Sequence, residues 1–143
     1  MSNHIRTITE EVVGGYLAAN MTGVAVHKGV TDELRVIPLI VAHASDAIRP
    51  YSLGAHNLGN YRVTLKVYVY SSADDETLQT HRDRVAKVHG LLSDDAALKT
   101  LWNTSGTNGQ LYDIWAESDS EGMAQRRYGN VLTFTLMAVM PPA

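Results

Sequence analysis

The sequence predicts an α+β fold: a largely antiparallel sheet of about four strands with helices packed on one face. Three observations lead there. Tyr61 to Ser71 alternates apolar and polar residues without interruption. A helical periodicity begins within a few residues of its end. Val131 to Met140 then reads Val-Leu-Thr-Phe-Thr-Leu-Met-Ala-Val-Met, a second strand-like run close to the C-terminus.

The elements follow in order. From about Asn3 to Ala19, Ile5, Ile8, Val12 and Tyr16 recur at three- and four-residue steps, and Val13 and Leu17 widen the stripe. Glu10 and Glu11 fall largely on the other side. Gly14-Gly15 is unfavourable inside a helix. Asn20 and Gly23 are stop signals, and Val24 to His27 is a short extended candidate. Ile37 to Ser45 is a strand opening near Pro38, with the continuous apolar run Leu39-Ile40-Val41-Ala42 expected of a strand covered on both faces. Asp46 to Asn60 is a polar loop with Pro50, Gly54 and Gly59, longer than most connections and so a candidate for function. In the strand that follows, Tyr61, Val63, Leu65, Val67 and Val69 form the apolar face.

Ser71 and Ser72 are candidate N-caps for a helix running to about Leu92, with Asp74, Asp75 and Glu76 at its positive end. Leu78, Val85, Val88 and Leu92 mark its buried side. Ser93 is a cap for a shorter helix, Asp94 to Trp102, with Leu98, Leu101 and Trp102 inward. Asn103 to Gly109 is a turn region. Gln110 to Glu117 is a strand, and polar Ser118 to Asn130 joins it to the last strand as a hairpin with a long tip. Shortening that tip is expected to leave the fold intact and to abolish assembly.

Length and composition narrow the function. A chain of 143 residues fits a single domain with its own core. A formal charge of −3 argues against general nucleic-acid affinity, which needs a basic excess. With no cysteine, disulfides, thiolate nucleophiles and Cys-type zinc sites are excluded. The N-terminal residues lack the basic-then-apolar order of a signal peptide.

No motif points to catalysis, a cofactor or a metal. The histidines (His4, His27, His43, His56, His81 and His89) show no metal-binding spacing, and solvated or singly hydrogen-bonded roles are expected. Asp74-Asp75-Glu76 and Asp94-Asp95 read as helix-start acids. Gly54 and Gly59 lack the Lys-Ser/Thr ending of a phosphate loop. Arg126-Arg127, at the hairpin tip, is a basic pair that could meet phosphate or an acidic partner. Tyr68 and Tyr70, on the less apolar side of their strand, are candidate interface anchors.

Several stretches together resemble the tail-terminator (minor tail or tail-completion) proteins of long-tailed bacteriophages. They are the opening amphipathic helix, Asn57-Leu58-Gly59-Asn60-Tyr61 feeding the strand to Val69, the helix Asp75 to Leu92, Leu111-Tyr112-Asp113-Ile114, and Thr133-Phe134-Thr135-Leu136. The resemblance covers most of the chain and rests on hydrophobic spacing. It implies one α/β domain over residues 1–143 that forms a six-membered ring on the last ring of the tail tube, ends tail growth and joins the tail to the neck. Its implied partners are other copies of itself, the tail tube protein and a neck, stopper or connector protein. DNA passes through without specific binding, and the implied location is the virion tail or neck. No catalytic residue comes with the resemblance. The loop and the hairpin supply the candidate contacts above and below the ring: Arg49, Tyr51, His56, Asn57, Arg126 and Arg127. The alternatives are another head–tail connector, a small α/β enzyme using His43 or His56 with a carboxylate, and a ligand-binding module.

Overall fold

The computed structural model describes residues 4–29, 37–48, 60–105 and 108–139, with the side chains of Asn60 and Asp95 excepted. It contains α1 (Ile5–Asn20), β1 (Ala25–Lys28), β2 (Leu39–Ile48), β3 (Asn60–Ser72), α2 (Leu78–Ser93), α3 (Asp95–Thr104), β4 (Gln110–Ala124) and β5 (Arg127–Val139). The predicted α+β class is the one observed, with five strands in the order β1-β2-β3-β5-β4. The fifth is β1, the short extended candidate, which pairs parallel to β2. The other three ladders are antiparallel.

Alternation along β3 decides which sheet face is covered. Val63, Leu65, Val67 and Val69 are fully buried. Their partners Ile40, Ala42 and Ala44 on β2, and Leu132, Phe134 and Leu136 on β5, lie on the same face. The helices close that face with Ile5, Ile8, Val13 and Leu17 of α1, Val88 and Leu92 of α2, and Leu98 and Trp102 of α3. Each large aliphatic side chain removed from water contributes about 1.5–3 kcal/mol, so this one layer is the main stabilising feature. On the opposite face Tyr68 and Tyr70 are half-buried and stack with ring centroids 6.2 Å apart.

α1 runs through its glycine pair because Gly14 makes room. A Cβ there would lie 2.6 Å from Cγ of Lys28, whose stem crosses the helix from β1. The Lys28 ammonium continues to Glu11, 2.9 Å away. Helical propensity is sacrificed at Gly14 for close helix–strand contact.

Several boundaries differ from the sequence reading. β2 does not stop at Ser45: a bulge between Ala44 and Asp46 absorbs one residue, and pairing resumes through Ile48 opposite Arg62. The expected polar loop therefore loses Asp46, Ala47 and Ile48 at one end and Asn60 at the other to strands. Residues 49–59 lie outside those described. Ser71 and Ser72 end β3, and the N-cap of α2 is Thr77, whose hydroxyl accepts from the Thr80 amide at 3.1 Å. Asp94, not Ser93, caps α3. Leu101, expected inside, is 47% exposed.

The largest revision is the hairpin. Its tip is a two-residue turn at Gln125 and Arg126, and both arms of Ser118 to Asn130 are otherwise strand. β5 lies between β3 and β4, so its backbone is paired on both sides whatever its side-chain polarity. The pairing of β3 with β5 reaches Ser72 opposite Arg127, level with the turn. Shortening the segment would thus remove ladder bonds and the buried Asn130, against the expectation that the fold survives. Both turn residues have positive φ, 52° and 61°, the conformation of a type I′ hairpin, which favours Asn-Gly. Gln125→Asn with Arg126→Gly is therefore expected to raise stability by about 1 kcal/mol, read from a thermal melt.

Candidate interaction surfaces

Of the six residues singled out as contacts, Arg49, Tyr51, His56 and Asn57 lie outside the described residues. Arg126 and Arg127 sit at the β4–β5 turn, and the structure fastens that turn rather than letting it project. The Arg126 carbonyl accepts from the Ala73 amide at 2.8 Å, and its guanidinium is 3.8 Å from Asp74. Arg126 stays largely exposed, while Arg127 is half-buried opposite Ser72.

A polar chain crosses the core between β3, α2 and β5. Arg84 donates to Ser71 Oγ and, at 2.7 Å, to Glu76. Ser71 Oγ lies 2.7 Å from His81 Nδ1, and His81 Nε2 lies 2.6 Å from Asn130 Oδ1. Asn130 Nδ2 donates to Asp119 at 2.6 Å. The ends fix the direction. Arg84 can only donate, and Asn130 presents its carbonyl to the ring, so His81 donates from Nε2 and accepts from the Ser71 hydroxyl at Nδ1. Ser71 and His81 are both fully buried, so His81 is not the solvated or singly bonded histidine the sequence suggested. A serine, a histidine and a carboxylate in one chain invite comparison with a hydrolase, but this hydroxyl has no path to a substrate. The arrangement satisfies buried polar groups and holds α2 in register with the sheet. The sequence did hold a signal. His81 falls four residues before Val85, on the stripe continued by Val88 and Leu92, all of them buried.

The other described histidines have local roles. His4 caps α1 by accepting from the Arg6 amide. His89 packs its ring 6.1 Å from Phe134. His27 is exposed on β1. His43 Nδ1 lies 3.1 Å from Glu10, the histidine–carboxylate pairing that the enzyme alternative required. The geometry gives this pair a different task. Glu10 also accepts the Ala44 amide at 2.9 Å, while Arg6 donates to the Ala44 carbonyl at 3.0 Å. Ala44 lies just past the end of β1, where β2 would present bare backbone. Arg6 and Glu10, one helical turn apart, stand in for the missing strand. Among the described residues no group of three or more His, Cys, Asp or Glu could hold a metal ion, and no helix is long and apolar enough to cross a membrane.

Two open grooves border β4. One of about 450 Å³ lies over the facing pair Gly122 and Gly129, beside Tyr70. Burial raises the Tyr70 phenol above its ordinary pKa, and Tyr68 adds to this. The other, also about 450 Å³, runs between α2 and β4 past Arg82, His89 and Glu121. Arg82 grips Glu121 through both oxygens, at 3.0 and 2.8 Å. That hydrogen bonding holds the Glu121 carboxyl below its ordinary value of 4.5. A carboxyl with a lowered folded pKa stabilises the fold above its unfolded pKa and loses that contribution as the pH falls through the folded value. Glu121→Gln is therefore expected to flatten the acid limb of the stability profile slightly below about pH 4.5, and added salt should shrink the difference.

β4 itself is the most exposed element. Among the described residues it pairs only with β5, and every residue from Trp115 to Ala124 is exposed. Side chains close its start: Asn103 accepts the Leu111 amide at 2.8 Å, and Asp113 accepts the Ile114 amide at 2.9 Å. Tyr112, Trp115 and Met123 are large hydrophobic residues left in water, at 58%, 39% and 63% exposure.

No family model matches the chain, and no curated protein matches it. Among solved structures, a chain in the "Virion of native gene transfer agent (GTA) particle" is similar in fold, with a TM-score of 0.55 at 14% identity. The match covers 87% of this chain and 84% of that one, so it takes in nearly the whole architecture.

Proposed function

We propose that this chain is a structural virion protein, a ring subunit at the head-proximal end of a phage tail tube that ends tail growth and joins the tail to the neck. The observation that carries the reading is the fold shared, over most of both chains, with a chain of a gene transfer agent virion. The resemblance of its sequence stretches to tail terminators points the same way. The Ser71–His81 pair gives no support to the enzyme alternative, since both groups are sealed in the core. The partners on this reading are further copies of the chain, a tube protein below and a neck or connector protein above. DNA passes through the lumen, which a mildly acidic subunit does not obstruct.

The test is native mass across a concentration series, alone and with purified tube ends. A six-subunit species, formed in solution or on the tube, is the expected result. A chain that stays monomeric in both settings and does not cap tubes would overturn the reading.

A further inference from the structure

We propose that the β4 edge is one half of a head-to-tail contact between copies of this chain, and that the other half is the β1 edge of the neighbouring copy. This rests on the reading of the chain as a ring subunit and names the surface that would close the ring.

Strand directions are the first argument. β1 and β2 run parallel, β3 opposes them, β5 opposes β3, and β4 opposes β5. Among the described residues β1 and β4 are therefore the two edges of the sheet, and they run in opposite senses. A neighbour generated by rotation about an axis roughly along the strands keeps its strand directions. Its β1 then meets β4 antiparallel, and the sheet continues in the same hydrogen-bonding pattern as most of its ladders.

Charge is the second argument. β4 carries Asp113, Glu117, Asp119 and Glu121 and no Lys or Arg. Pairing of β4 with β4 across a two-fold axis would set like charges face to face, which is destabilising. β1 carries no acidic residue and offers exposed His27 and Lys28 instead, Lys28 reaching Glu11 of α1 on one side, with Arg6 beside the adjoining part of β2. Because Arg6 and Glu10 close the β2 backbone beyond β1, the neighbour's strand is confined to the four residues of β1. Tyr112 and Trp115, exposed beside two of the carboxylates, supply the aromatic anchors that such contacts favour.

The test uses two charge variants and native mass. One carries Asp113→Lys with Glu117→Lys. The other carries His27→Glu with Lys28→Met, which retains the stem packed on Gly14. Each alone is expected to associate at least tenfold more weakly than the wild type. Asp113→Asn with Glu117→Gln, which removes the charge but keeps acceptors for the Ile114 amide and the Thr135 hydroxyl, should weaken association in the same direction, separating charge from local hydrogen bonding. Mixed in equal amounts the two charge variants should assemble again, because alternating copies restore an opposite-charge contact at every junction.

A second measurement does not depend on charge. The chain has no cysteine, so His27→Cys and Ser118→Cys report cleanly with a short bis-maleimide. The double variant should give a ladder of multimers, and Ser118→Cys alone should give no dimer. A wild type that forms rings, with charge variants that assemble equally well and no ladder, would overturn the edge pairing while leaving the ring reading standing. A dimer from Ser118→Cys alone would overturn it in favour of a two-fold contact. A wild type that stays monomeric both in solution and with tube ends, with no ladder from the double cysteine variant, would overturn both.

Discussion

Trp102→Ala is expected to destabilise the protein by about 3–5 kcal/mol, the cost of deleting a large aromatic from a core that cannot fully collapse around the void. Trp102 is fully buried in the last turn of α3, and its indole N–H donates to the Asn108 carbonyl at 3.0 Å. It therefore ties the turn after α3 to the helix as well as filling the core beneath it. Against a typical total of about 5–15 kcal/mol, the loss should shift the urea midpoint severely and could leave the chain largely unfolded at 37 °C. Trp102→Phe keeps most of the ring and loses the hydrogen bond, so about 1–2 kcal/mol is expected. The second tryptophan, Trp115, is partly exposed, and Trp115→Phe gives a background in which fluorescence reports on Trp102 alone. If Trp102→Ala costs less than the phenylalanine variant, α3 is not docked through this residue.

His81→Ala is expected to cost about 3 kcal/mol or more. The variant opens a cavity and leaves the Ser71 hydroxyl and the Asn130 carbonyl without their partner, and each orphaned buried group costs about 1–3 kcal/mol. Asn130→Ala should be damaging for the same reason, because it strands His81 Nε2 and Asp119. The informative measurement is the double variant. If the two residues act through one hydrogen bond, its cost falls short of the sum by about 0.5–3 kcal/mol. Strict additivity would mean that the chain from Arg84 to Asp119 does not work as a unit. Rescue by His81→Gln, which keeps a donor and an acceptor, would separate the hydrogen bonds from the volume.

The elements whose environment repeats with a simple period were legible. Strict alternation from Tyr61 onward gave β3 its inward face, because period 2 has one geometric solution in a half-covered sheet. The stripe Ile5, Ile8, Val12 and Tyr16, widened by Val13 and Leu17, gave α1 in the same way, although Tyr16 itself is only half-buried. The polar half of the hairpin was not legible as strand. Ser118-Asp119-Ser120-Glu121-Gly122 has no apolar face, since its strand is an edge with solvent on both sides, and pairing with β5 alone holds it extended. The tight turn carried no Asn-Gly signature, so nothing local announced it.

The candidate contact residues divide by the same logic. A basic pair at a hairpin tip is visible in the sequence, but whether the tip projects depends on where β3 ends, and β3 ends level with it. Nor could the sequence show that His81 would meet Ser71 and Asn130, which lie ten and forty-nine residues away along the chain.

By itself, then, the sequence determined the α+β class, the identity of most core residues and the absence of cysteine chemistry. These depend on composition and on short-range periodicity, which act through the chain's own local geometry. Tertiary structure alone decided that β1 joins the sheet in parallel, that Arg6 and Glu10 close the β2 edge, and that β4 is left open and acidic. Those outcomes turn on which backbone hydrogen-bonding groups find a partner from a distant segment, a quantity no local window of residues contains.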